Sequence, residues 1–187
     1  MMMAPMHDSG MIGKLAGHPL PGEMDPLRRV RAWKETASTV EAAREELLKK
    51  GKPAFIITDH YGMAGEFSFY SREARTALTN TPLVYPFIQA VPGNQFYFWP
   101  EYQYTSYRKG QNAIYVAELD PYSPAKGWIW RWLKGREVQY ETPSAPPSVA
   151  RSVQKEFETI TDLGVKEIKV NGRVLRRVRL FECLSLR

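Results

Sequence analysis

From Leu27 onward the chain alternates between apolar positions at helical spacing and short continuous apolar runs. Leu27, Val30, Trp33, Ala37, Val40, Ala43 and Leu47 recur about every 3.5 residues, which makes one apolar stripe along an amphipathic helix. Asp25 before Pro26 is a favoured order at a helix start, and Lys49, Lys50 and Gly51 suit its end. Thr36, Ser38 and Thr39 mark where this helix could divide in two. Ala54–Thr58 is an unbroken apolar run, read as a buried strand. Residues 64–70 suit a short helix, and Leu83–Ile88 a second strand in which Pro86 points to a sheet edge or an irregularity. Asn112–Leu119 is a third strand.

Beyond the loop TPSAPPS at 142–148, Val149, Val153, Phe157 and Ile160 fit a helical spacing, while the later part of that segment suits a strand. Asn171-Gly172 lies between two strand-like runs and predicts a tight hairpin. Residues 1–24 show no period and read as an arm; 25–187 read as one domain. Strands alternating with helix-length segments predict a single α/β domain, with a mixed, mostly central sheet flanked by helices and a C-terminal antiparallel hairpin.

With 43% hydrophobic and 12% aromatic residues in 187, the chain can bury a core, which excludes a wholly disordered polymer. Its 26 basic against 20 acidic residues give +6 and a pI near 9.4, a balance that suits a polyanionic or anionic-lipid partner. The lone Cys183 excludes an internal disulfide framework and a cysteine-based zinc site; its strand-like surroundings favour a buried structural thiol. No apolar run reaches the roughly 18 residues of a spanning helix, and the start MMMAPMHDSG lacks a basic-then-apolar leader, so the chain reads as soluble.

Candidate chemistry concentrates in three stretches. In DHYGMAGEFSFYS (59–71), Asp59, His60 and Tyr61 stand where a strand should give way to a helix, the place where ligands gather in open α/β sheets. Glu66 and Tyr70, four apart, would share a helix face. A structural reading, with Asp59 capping and Tyr61, Phe67 and Phe69 in the core, outweighs catalysis here. In NQFYFWPEYQY (94–104), Asn94, Gln95 and Trp99 could stack on and hydrogen-bond a sugar or base, against the plainer reading of core aromatics. In GWIWRWLKGR (127–136), Trp128, Trp130 and Trp132 interleave with Arg131 and Lys134, as interfacial membrane segments do; a packed tryptophan cluster is an equal alternative. Arg173, Arg176, Arg177 and Arg179 read as a solvated strand edge before a phosphate-binding stripe. No phosphate loop, nucleophile elbow, dinucleotide fingerprint or metal-ligand spacing is present, so no catalytic residue, metal or cofactor is assigned.

DPLRRVRAWKE, then FIITDHYGMAGEFSFYS, then NQFYFWP followed by GQNAIYVAEL form a familiar order. The progression resembles the soluble C-terminal region of bacterial membrane glycosyltransferases of the dolichyl-phosphate-mannose protein mannosyltransferase type, glycosyltransferase family 39. In that family D-P-x-R-R-L-x-G-W precedes a helix, D-x-Y-x-x-A-S-E-L-x-F-Y follows a strand, and N-Q-Y-D-x-W leads toward G-x-N-A-I-Y-V. Here Ala32 replaces the glycine before Trp33, Gly65 stands where a serine is common, and Phe96-Tyr97 stand for Tyr-Asp. The resemblance covers Asp25 to Arg187, and the family's catalytic carboxylates lie in a membrane-proximal region this chain does not contain.

The resemblance implies a non-catalytic accessory domain on the periplasmic face of the cytoplasmic membrane. It would help position the acceptor or the lipid-linked donor of a polyprenyl-phosphate-sugar-dependent transferase. Its partners would be the membrane region of the same polypeptide, a lipid-linked sugar or glycan acceptor, and an anionic lipid surface. Two alternatives stand beside it: a free-standing cytoplasmic α/β enzyme using Asp59, His60 and Glu66 on a sugar or phosphorylated substrate, and, more weakly, a basic nucleic-acid-binding module.

Overall fold

The computed structural model describes residues 21, 27–77, 81–87, 95–120, 122–141, 149–170 and 172–187. The expected helix start at Asp25-Pro26, the arm apart from Pro21, Ile88 and Asn94 lie outside them. Five strands form one open mixed sheet: β1 Ala54–Thr58, β2 Val84–Pro86, β3 Asn112–Leu119, β4 Phe157–Val170 and β5 Arg173–Leu186, in the order β2-β1-β3-β5-β4. β1 runs parallel to both β2 and β3, whereas β3–β5 and β5–β4 are antiparallel. The chain therefore leaves β1 toward one neighbour and returns on its other side, which makes the β1/β3 boundary a topological switch point.

The apolar run of β1 is buried along its whole length, as a central strand covered on both faces must be. One face is covered by α1 (Trp33–Leu48) and α2 (Tyr61–Tyr70). Trp33 meets Phe67 edge-on across them at 6.3 Å, and Ala37, Val40, Leu47, Met63 and Ala64 are buried in the same core. Arg44 of α1 is buried too. It donates from Nε to the Ala54 carbonyl at 2.6 Å and forks onto Glu73 of α3 (Arg72–Ala77) at 2.8 and 2.9 Å. On the opposite face Phe55 packs against Tyr85, Tyr104 of α4 (Tyr104–Tyr107) and Phe157. α5 (Trp128–Leu133) and α6 (Arg151–Glu156) follow along the chain, the latter running straight into β4.

The expected α1 begins late. Leu27 and Val30, placed in its apolar stripe, are exposed, and Arg28–Val30 is a single 3-10 turn. The break falls at Ala32, whose left-handed backbone (φ 64°) cannot continue a right-handed helix; Thr36, Ser38 and Thr39 stay helical. Lys49, Lys50 and Gly51 (φ 88°) do end it. β2 is an edge strand, as Pro86 suggests. The ambiguous 149–160 segment divides at Glu156/Phe157 between helix and strand. The hairpin pairs Val170 with Arg173 around Gly172, which holds φ 76°.

The final hairpin corrects one expectation. β5 is not a solvated edge but an interior strand, so Arg176 and Arg177 are buried at 8% and 7% exposure. The edge is β4, whose Glu158, Asp162, Lys166, Glu167 and Lys169 are exposed and whose register shifts at Asp162/Gly164 and at Ile168/Lys169. Charges and a bulge of this kind discourage edge-to-edge pairing. Cys183 is fully buried, and that burial pushes its thiol up to about 12, so it is structural.

Candidate functional site

The carboxyl ends of β1 and β3 bring together the groups that the fold places at its switch point. Asp59 directly follows β1: its N–H donates to the Val116 carbonyl at 3.0 Å, and its Oδ2 accepts from the Glu118 N–H at 2.8 Å. Oδ1 is enclosed and has no hydrogen-bond partner among the described residues. Burial outweighs the backbone bond and, with the neighbouring Glu118 charge, pushes the Asp59 carboxyl up to about 7. Tyr115, one strand over, has its phenol raised far above the ordinary range, mainly by burial and next by the Asp59 charge.

Sequence reasoning assigned the helix cap to Asp59; the structure gives it to His60. His60 is extended, and its Nδ1 accepts from the Gly62 N–H at 3.1 Å, which satisfies one of the open donors of the first turn. Its exposed ring stacks on Tyr61 at 4.5 Å. The packing assigned to α2 is also corrected: Phe67 is buried, but Tyr61 and Phe69 are 50% and 61% exposed.

Next to Asp59 and Glu118 lies a residue that sequence reasoning placed in solvent. The Arg176 guanidinium donates from Nη1 to Glu118 Oε1 at 2.7 Å and from Nε to the Arg31 carbonyl at 2.9 Å. Nη2 reaches the Arg28 and Arg29 carbonyls at 3.2 and 2.7 Å. The same group sits 3.4 Å from the centre of the Trp33 ring, a stacked cation–π contact, and Trp33 Nε1 donates to Arg29 O at 2.8 Å. Glu66 adds a second negative charge near it. Asp59, Glu118 and Arg176 thus form a hydrogen-bonded chain from the switch point to the 28–31 turn, with the Glu66 charge nearby. The signal for it in the sequence was only a cluster of arginines, Arg173, Arg176, Arg177 and Arg179, on a strand whose neighbours were unknown.

The other candidates lie elsewhere. Trp99 stacks on Phe96 and Tyr102, and Tyr102 on Tyr85, whose hydroxyl accepts from Arg108 Nε. Arg108 also binds the Pro82 carbonyl and Gln111, which places this cluster at the amino-terminal end of β2 and β3. Tyr102 and Tyr104 are core residues, whereas Phe98 is 75% exposed and Trp99 40%. Gln95 is exposed, and Tyr70 sits at the far end of α2, edge-on to Phe69.

In α5, Trp132 is buried beside Trp128, and Arg131, half-buried, donates from Nε to the Glu137 carbonyl. Trp130 is 66% exposed, and Lys134 is exposed. Among the described residues no helix is long and apolar enough to cross a membrane, and no three histidine, cysteine or acidic side chains gather as a metal site would require. A shallow depression of about 390 Å³ lies between α6 and the β4–β5 pair, lined by Val149, Gln154, Phe157, Ile160, Asp162 and Phe181.

Compared with known proteins, the chain matches no family model, no curated protein and no solved structure.

Proposed function

We propose that this chain is a non-catalytic accessory domain of a polyprenyl-phosphate-sugar-dependent membrane glycosyltransferase, helping position acceptor or lipid-linked donor at its switch-point edge. The observation that carries this reading is convergence. Arg28, Arg29, Arg31 and Trp33 come from the first segment of the resemblance, Asp59 and Glu66 from the second, and Glu118 from the last. Arg176 contacts the first and last directly, the charge of Glu66 lies near it, and Asp59 joins through the Glu118 N–H. A second support is Ala32, which occupies a left-handed backbone at the position where the resembling family carries glycine.

The free-standing acid–base enzyme loses its main support. His60 spends Nδ1 on its helix cap, and its ring faces solvent beside Tyr61 rather than a carboxylate. The nucleic-acid reading weakens because Arg176 and Arg177 are buried and Arg179 is paired with Asp162.

An antiserum raised against residues 27–187 tests the proposal in the source cell. The expected product is a membrane-fraction polypeptide several times heavier than this 21.5 kDa chain. A free chain of this size in the soluble fraction would overturn it.

A further inference from the structure

The short helix α5 carries an apolar face turned away from the protein. Ile129, Trp130 and Leu133 are 47%, 66% and 55% exposed, and their spacing puts them side by side on one surface of a helix. Trp132 on the other side is buried, so the helix is seated on the domain by one tryptophan while it presents another. The excursion that bears it is closed at its base by the antiparallel bridge between Pro124 and Tyr140. Ala125 N–H also donates to Gln139 O, and Glu141 N–H to Ser123 O. The face is therefore held out on a fixed mount.

Its rim is mostly basic, with Glu137 and Glu141 the acidic residues of the excursion's return. Residues 126–136 contain Lys126, Arg131, Lys134 and Arg136 and no acidic residue. Lys126, Lys134 and Arg136 are exposed. A protein partner with an apolar hot spot would satisfy the hydrophobic face alone. A tryptophan among aliphatic side chains, beside four basic residues against the acidic Glu137 and Glu141, matches a surface that is apolar beneath and anionic on top.

We infer that Ile129, Trp130 and Leu133 form an interfacial anchor that seats this domain on a bilayer containing anionic lipid, with Lys126, Lys134 and Arg136 over the headgroups. The inference concerns the isolated domain and stands independently of any glycosyltransferase role. The electrostatic part acts over about 8–10 Å at ordinary salt, so it guides the approach while the inserted side chains hold the contact.

Co-sedimentation of the full chain with phosphatidylcholine vesicles, with and without 30% phosphatidylglycerol, tests it at low and high salt. Binding is expected to the anionic vesicles, at least tenfold weaker on neutral ones, and reduced by salt. The triple variant I129S/W130S/L133S should lose at least tenfold in vesicle affinity while keeping its circular dichroism and cooperative unfolding, because all three side chains lie outside the core. The charge variant K126E/K134E/R136E, which leaves the apolar face intact, should lose binding to anionic vesicles alone. Absence of binding at low salt would overturn the inference. Binding unchanged in both variants would overturn it equally, as would a concentration-dependent dimer that the triple variant abolishes, since a second copy would then cover the face. If the isolated domain binds vesicles but occurs in cells as a free soluble chain, the anchor survives and the glycosyltransferase reading fails.

Discussion

At Ala32 and Asp59 the local preference of a residue and the demand of the fold disagree. A left-handed backbone costs a residue with a Cβ roughly 1–2 kcal/mol. Ala32 meets that cost with its methyl in a small cluster with Ile168 and Leu175. Ala32→Gly is expected to leave stability within about 1 kcal/mol of the parent, because strain relief offsets the lost methyl burial. Ala32→Val, with a branched Cβ, is expected to cost about 2 kcal/mol or more; urea midpoints separate the two. Asp59 binds its proton more tightly in the folded state, up to about 7 against an ordinary 3.8. The folded chain then holds more protons than the unfolded one between those values, so its contribution is fully present below about pH 4 and is lost as pH rises to about 7. The loss is on the order of 4 kcal/mol. Asp59→Asn keeps an acceptor for the Glu118 N–H and should flatten this slope, so its unfolding midpoint should change less than the parent's between pH 5 and pH 8. An equally steep decline in the variant would show that Asp59 is not the source.

Among the elements, α1, β1, β3 and the final hairpin were legible because each carries its own local signal: a helical stripe, continuous apolar runs, and Asn-Gly between alternating strands. The start of α1 was not. Its apolar spacing runs unbroken through Leu27 and Val30, and only the positive φ at Ala32, a tertiary result, breaks it. Asp59 was found at its strand end, but the residue that organises the site was missed. Whether Arg176 faces water depends on β5 lying between β3 and β4, pairings that join residues far apart in the chain. Arg176→Met should cost about 2–4 kcal/mol, since it takes the Arg31 carbonyl's donor, one of two donors from the Arg28 and Arg29 carbonyls, and the cation paired with Glu118. Arg176→Lys keeps the charge but not the planar fork and should recover only part of that loss. Hydrogen exchange gives the sharper readout: amides of residues 28–31 should lose protection in both variants while those of β1 keep theirs.

For the whole molecule, the sheet's two ends differ in chemistry. The carboxyl end holds the Asp59–Glu118–Arg176 chain with the Glu66 charge nearby, and the amino end holds the aromatic Tyr85–Tyr102–Trp99 cluster with Arg108. The Asp59 and Trp99 candidates thus lie at opposite ends of the sheet. The polar end and the basic mount of α5 are separate features, and the tests above keep them separate. Vesicle binding addresses the mount, and the pH dependence of stability addresses the polar end.

The placement of β5 also fixes the order in which the molecule can be completed. Arg176 grips a turn 145 residues earlier in the chain, and β3 has no partner on one side until β5 arrives. During synthesis β1, β2 and β3 emerge first, with an open, apolar strand edge and an unmoored leading segment. Only the last strand closes both. Such non-local closure is slow and leaves the edge exposed while it waits. A cell making this domain must shield that edge until the final residues are in place.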